Sequence, residues 1–319
     1  MMDLDIFQCP ACKKSSLREA ANFVQCDSCS ARYPVFDRSI NFIEEFRGLS
    51  ETQKAQKKFY EADPTAYPQV NMNDFIKDVI DGSRLTTKIY ISHKQFDTYR
   101  QIKKLNIRAS NKVLDVGCFD GRNCFLIEKL AGAHCYGVDI SLSAVRRAQS
   151  HARNSALQKS DFHVALAEKL PFVDRCFDRV ISLDVLEHIE DKESFLREID
   201  RVLKPKGTAL IYAISKHDRH SLHWTLRKIS KGTLGRDEGG GHVYENFADP
   251  VETRALCDRL HIQTVHIEPF HGFFSLFLDE YLSRRIGYKI KYFFRLARFL
   301  DTPLSIRKIG NGFYLRIIK

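Results

Sequence analysis

One tryptophan, three methionines and nine prolines in 319 residues leave few of the features that mark a low-complexity or proline-rich chain. No run approaches the roughly 20 uninterrupted apolar residues of a membrane span. The opening, MMDLDIFQCP, has no basic patch followed by an apolar core, so no secretory signal is expected and the cytoplasm is the expected location. Internal repeats are absent as well, which excludes solenoids and propellers. What is present is 44% hydrophobic and 11% aromatic residues, enough for a sizeable core. Nine cysteines are unevenly placed, four in two tight pairs near the start and five scattered, a distribution unlike a disulfide framework. The net charge is +10, and ten basic residues against one acid from Arg284 onward supply nine of those charges.

The texture changes twice along the chain. Residues 1–46 are punctuated by cysteine and lack helical periodicity. Residues 47–110 read as a helical connector, with Ile89, Phe96, Tyr99, Ile102 and Leu105 at threes and fours and a loop around Pro64 and Pro68. From Lys112 short apolar runs alternate with helical stretches. Strands are expected at 113–117, 134–140, 161–166, 177–185 and 208–214, with helices at 122–131, 141–153 and 191–203. Segments 261–270 and 313–319 complete the sheet as a late pair. The expected fold is α/β, a seven-stranded Rossmann-like sheet with helices on both faces over 111–319, preceded by a small metal-bound unit.

The stretch VLDVGCFDGRN (113–123) is an apolar strand, an acid and a glycine turn opening a helix. Gly117 permits a tight turn beside a ligand and Gly121 permits close helix–strand approach. Asp139 in GVDIS ends the second strand, where a carboxylate can bind ribose hydroxyls. AEKLPF (167–172), FDRVISLDVLEHIED (177–191) and LREIDRVLKPKGTALI (196–211) follow in order. This series resembles the class I S-adenosylmethionine-dependent methyltransferases, in particular the group of ubiquinone and menaquinone biosynthesis, well over about 110–215 and loosely over 240–319. The resemblance implies S-adenosylmethionine as cofactor, with Asp115 and Gly117 near its methionine moiety, Asp139 on the ribose, Ala167 and Glu168 near adenine, and Asp184 beside it. Two positions depart from the family. Phe119 stands where a second glycine is usual, and Leu166 where an acid commonly meets the adenine amino group.

Cys9-x-x-Cys12 and Cys26-x-x-Cys29, thirteen residues apart, can offer four thiolates to one tetrahedral zinc. A filled shell leaves no place for water, so the site is structural. With the ARYPVFDRSINFI that follows, the segment resembles the zinc-ribbon activator subunit of tRNA and protein methyltransferases. That likeness implies a stabilising or substrate-presenting role in cis.

For the chemistry, the fourth strand is followed by LDVLEH rather than Asn/Asp-Pro-Pro-Tyr/Phe, which argues against base amino groups and glutamine amides as acceptors. An oxygen or carbon of a small or lipid-like metabolite is expected. His188, His242 and Asp184 are the candidate catalytic residues, the histidines as general bases. Asp184, Glu187 and His188 also share the spacing of one helical turn, a weaker candidate for a divalent metal. His217, His220 and His223 read as surface residues of a mobile cover. The insertion at 271–308 combines apolar helical spacing with Arg284, Arg285, Lys291, Arg295 and Arg298. It offers a solvated face, a grip on phosphate, or peripheral contact with an anionic membrane through 284–308. An RNA methyltransferase, or a non-catalytic partner protein keeping the fold, are the rival readings.

Overall fold

The computed structural model describes residues 3–43, 49–62, 71–81, 93–155, 157, 159–216, 229, 246–263, 265–270, 296, 299, 300 and 312–319. The expectations for Pro64 and Pro68, for His217, His220, His223 and His242, and for the basic insertion up to residue 308 fall outside these residues, Leu296, Phe299 and Leu300 excepted.

Four short strands come first, β1 (Leu17–Glu19), β2 (Phe23–Cys26), β3 (Arg32–Phe36) and β4 (Ser39–Ile40), each antiparallel to the next. Helices α1 (Glu51–Ala62), α2 (Met72–Asp81) and α3 (His93–Lys103) follow. The main unit then runs β5 (Lys112–Val116), α4 (Arg122–Ala131), β6 (His134–Asp139), α5 (Leu142–Arg153), β7 (Ser160–Val164), β8 (Phe177–Leu183), α6 (Lys192–Val202), β9 (Leu203–Ile214), α7 (Pro250–Arg259), β10 (Val265–Phe270) and β11 (Gly312–Ile318). All seven expected strands are present, in the order β10-β11-β9-β8-β5-β6-β7. Strand β11 is antiparallel to both neighbours and the other pairings are parallel. The strand order reverses at β5, from which β6 and β7 lie to one side and β8 and β9 to the other. Because β5, β6 and β8 are parallel, they end on one edge, where such a topology opens a crevice.

Local chemistry explains the helix limits. Gly121 and Gly132 bracket α4 in left-handed conformation, and the Gly132 amide closes on the Glu128 carbonyl. Ser141 caps α5 by accepting from the Ala144 amide, and Asp191 caps α6 by accepting from Ser194. Asp249 caps α7 ahead of Pro250. The Pro-Lys-Gly segment forms a bulge within β9, which begins at Leu203 rather than at 208. Phe177 pairs with Leu203 but Arg179 with Thr208, so Lys204–Gly207 loop out with Lys206 at φ 65°.

Alternation along the strands splits the core into two faces. Val113, Cys135, Leu210 and Tyr212 pack with α2, α4 and α5; Leu114, Val116, Tyr136 and Ile211 pack with α6. The connection from β7 to β8 contains no helix. Ile6, Phe7, Tyr33, Ile40 and Phe42 of the N-terminal unit fill that part of the second face, with Phe7 stacked on Phe172 at 5.2 Å. Asn41 bridges to Val164 and the Phe42 amide donates to the Val164 carbonyl, which covers the end of the edge strand β7. The Ile40 amide donates to Nδ1 of buried His163. Among the described residues, no helix is long and apolar enough to cross a membrane.

Candidate functional site

The residues singled out from sequence, His242 apart, are found in two places. Asp115, Gly117, Gly121, Asp139, Ala167, Glu168, Asp184 and His188 lie at the strand ends or in the loops after β5, β6, β7 and β8. The four cysteines form a separate cluster in the N-terminal unit.

At the strand edge, Gly117 (φ 77°) turns the chain so that its amide donates to the Val138 carbonyl at 2.7 Å. A Cβ there would run into the Val185 side chain, and the positive φ adds backbone strain for any other residue. Phe119, the departure from the family pattern, takes φ 51° without breaking the turn. Its amide donates to Asp139 Oδ2 at 2.9 Å, while Ser141 donates to Oδ1 at 2.9 Å. Its ring lies under the Arg147 guanidinium, 4.8 Å from the centroid. Phe119 thus holds a left-handed backbone that glycine would adopt without strain.

Asp115 is fully buried, and its Oδ1 has no hydrogen-bond partner among the described residues. Burial pushes its carboxyl up to about 7, assisted by the Asp139 charge and opposed by the Cys124 thiol. Asp139 is also raised, chiefly by burial, with the Ser141 and Phe119 amides acting against it. Burial likewise raises Asp120, but the Arg122 guanidinium, at 2.6 and 2.8 Å, outweighs it and holds the carboxyl down. Asp184 stands at φ 60° at the end of β8, its amide donating to the Tyr212 carbonyl. His188 ends a short 3₁₀ turn (Leu186–His188) and is buried.

One wall of this groove escaped the sequence reading. Along α1, Gln53, Gln56, Tyr60 and Glu61 follow helical spacing, and together they meet three segments, the turn at Glu168, His188 and the start of α5. Gln53 Nε2 donates to Glu168 Oε1 at 3.0 Å and Gln56 Nε2 to the His188 carbonyl at 2.7 Å. Tyr60 Oη lies 3.4 Å from His188 Nε2, and its carbonyl accepts from Ser143 Oγ at 3.0 Å. Glu61 Oε1 accepts from the Leu142 amide at 3.3 Å. The inward face of α1 is polar, so no apolar periodicity announced it.

In the second place, the two Cys-x-x-Cys turns repeat one geometry. Cys9 and Cys26 each donate an amide to the carbonyl five residues on and accept from the amide four residues on, and Lys13 and Ser30 both take φ 60°. The four sulfurs lie within 4.8 Å of one another, with Cys9–Cys29 and Cys12–Cys26 at 3.6 Å. Tetrahedral zinc with Zn–S bonds of about 2.3 Å separates its sulfurs by about 3.8 Å, so the donor set fits the ion. Burial raises Cys26, but the Ser16 hydroxyl, the Cys29 and Ser28 amides and the Cys12 thiol bring it to about 6. For Cys29 the Ala31 amide lowers the thiol, but burial and the other three sulfurs push it up to about 12. Without a cation the four cannot all ionise together.

Residues 114–211 match the methyltransferase domain family. The match covers part of the chain, and the sheet order agrees with it. The chain is 38% identical over 151 residues to norajmaline N-methyltransferase of Rauvolfia serpentina, covering 47% of this chain and 48% of that protein. It is 29% identical over 154 residues to a ubiquinone biosynthesis O-methyltransferase of Bartonella bacilliformis, covering 46% and 58%. The chain thus spans about half the length of the curated relatives it matches. In fold it is similar to phosphoethanolamine N-methyltransferase 2 of Haemonchus contortus, solved with phosphomonomethylethanolamine and S-adenosylhomocysteine. That likeness has a TM-score of 0.54 and 18% identity, covering 83% of this chain and 60% of the other.

Proposed function

We propose that the chain transfers a methyl group from S-adenosylmethionine to an oxygen or carbon of a small or lipid-like metabolite. The observation that carries this is the strand-edge groove, where the Gly117–Gly121 turn closes on Asp139 through the Phe119 amide. The unpartnered Oδ1 of Asp115 suits a cationic amino donor, and the free lone pairs of Asp139 suit ribose hydroxyls. The cofactor supplies an electrophilic methyl group on a sulfonium. The protein's part is to align the acceptor with that methyl and to take up a proton where the nucleophile carries one. His188 is the base, and Tyr60 Oη at 3.4 Å from Nε2 orients its ring against the groove. Asp184, at the mouth of the same strand end, completes the polar rim.

We assign the four cysteines to structural zinc, with residues 1–46 as the ribbon, 47–110 as the connector and 111–319 as the methyltransferase domain. Sulfur spacing and the paired turns support the ribbon.

The test is a screen for labelled methyl incorporation into phenols, quinols, lipid extracts and RNA, followed by the His188→Asn variant on the acceptor found. Turnover falling by roughly 10²- to 10⁴-fold with cofactor affinity unchanged is expected. Unaltered turnover removes His188 from the chemistry, and label in RNA alone overturns the small-acceptor reading.

A further inference from the structure

The four cysteines differ in what surrounds them. Cys9 and Cys26 are buried, whereas Cys29 is exposed. Three of the sulfurs have the amide two residues on as a hydrogen-bond donor, Lys14 for Cys12, Ser28 for Cys26 and Ala31 for Cys29. At Cys9 the corresponding amide, that of Ala11, meets the Tyr33 hydroxyl, and Tyr33 Oη lies 3.1 Å from Cys9 Sγ. Four thiolates around one zinc leave net negative charge in the cluster, and on a buried sulfur that charge needs a donor. A metal-bound thiolate carries no proton, so in the loaded site only the hydroxyl can donate. Tyr33 is itself buried in the junction between the N-terminal unit and the main sheet. Its ring packs against Phe42 at 5.3 Å between centroids, and the Phe42 amide donates to the Val164 carbonyl at 2.8 Å. Val164 stands opposite Asp139 in the sheet, and the Ala165 amide donates to the Asp139 carbonyl at 3.0 Å. One tyrosine thus touches a cluster cysteine at its hydroxyl and, at its ring, the residue that docks the N-terminal unit on β7.

Resting on the assignment of the four cysteines to structural zinc, we propose that Tyr33 is a positioning residue that couples the metal to the docking of the ribbon on β7. Its hydroxyl donates to the Cys9 thiolate and so fixes the ring, and the ring fixes Phe42. Ser16 supplies the contrast. Its Oγ lies 3.4 Å from Cys26 Sγ and 2.8 Å from Ser28 Oγ, so both partners belong to the N-terminal unit. Ser16 therefore adjusts the metal site without reaching the junction.

The experiment compares the whole chain as wild type, Tyr33→Phe, Ser16→Ala and Phe42→Leu, each loaded with zinc or with cobalt(II). Cobalt in a four-thiolate site shows a sulfur-to-metal charge-transfer band, and a thiolate that loses a hydrogen bond gives up its electron more readily. In Tyr33→Phe that band moves to lower energy, and zinc competed by a chelator is held about ten- to hundredfold more weakly. At saturating zinc, hydrogen exchange of the Phe42 amide quickens by at least about fivefold in Tyr33→Phe. Ser16→Ala also shifts the band but leaves Phe42 at the wild-type rate. Coupling is reciprocal, so Phe42→Leu, which removes no donor to sulfur, holds zinc several-fold more weakly. An unshifted band in Tyr33→Phe overturns the proposal, because the hydroxyl then does not donate to the metal-bound sulfur. A shifted band with unchanged Phe42 exchange overturns it too, and so does wild-type zinc affinity in Phe42→Leu. Equal quickening in Ser16→Ala has the same force, being the mark of a metal site loosened in general. A folded wild type that takes up neither metal overturns the zinc reading itself.

Discussion

Asp115 shows what a single position in this fold must tolerate. It sits at the end of β5, fully buried beside Asp139, with its carboxyl pushed up to about 7. The unfolded chain gives up this proton near pH 4, whereas the folded chain keeps it until about 7. Folding therefore binds a proton in that window, and this residue's contribution to stability is greatest in acid and is lost as pH rises from about 4 to 7. Asp115→Asn keeps the shape and never ionises. Its melting temperature relative to wild type should rise between pH 5 and pH 8, and thermal denaturation at the two values checks this. The opposite trend would mean that Asp115 is held ionised by a partner. The acid and the two glycines were legible in sequence because strand, acid and turn are contiguous. Phe119 was legible as a departure from the usual glycine, but its contact with the Arg147 guanidinium was not, since that residue lies 28 positions away on α5.

At the scale of elements, the N-terminal unit and α1 meet at one loop. Asn41 and Phe42 hold Val164 at the end of β7, while the Gln8 amide donates to the Pro171 carbonyl and the Val173 amide to that of Ile6. Lys13 reaches Glu198, whose Oε2 accepts from the Leu170 amide. Both flanks of the segment that carries Glu168 are thus fixed by the four-stranded unit, whose own strands are too short to hold their shape without a staple. Chelation should release about one zinc per chain, lower the melting temperature and weaken cofactor binding by roughly 5- to 150-fold, as coupled sites do. Metal analysis and titration of the metal-free chain measure this, and full cofactor affinity without metal would contradict it. Strands and helices of the main sheet were legible from their apolar periods, and so were the paired cysteines. The docking of the unit on β7 was not, because Phe7, Phe42 and Phe172 are distant in sequence and no local period relates them.

For the molecule as a whole, the late strand pair and the reversed β11 complete a sheet whose strand ends gather the candidate site residues on one edge. Motifs in register from β5 to β9 were enough to anticipate that edge, while its cover was hidden in polar residues of a helix that read as a connector. The direct test of the account is titration of S-adenosylmethionine into wild type and Asp139→Ala. In wild type the Asp139 carboxylate organises the Phe119 and Ser141 amides, and on the proposed reading it also holds the ribose. Removing it costs charge-assisted hydrogen bonds of about 1.5–3 kcal/mol each. Saturable one-to-one binding by wild type, lost or weakened at least tenfold in a folded variant, is the predicted result. A folded, zinc-loaded wild type that binds no S-adenosylmethionine would contradict it.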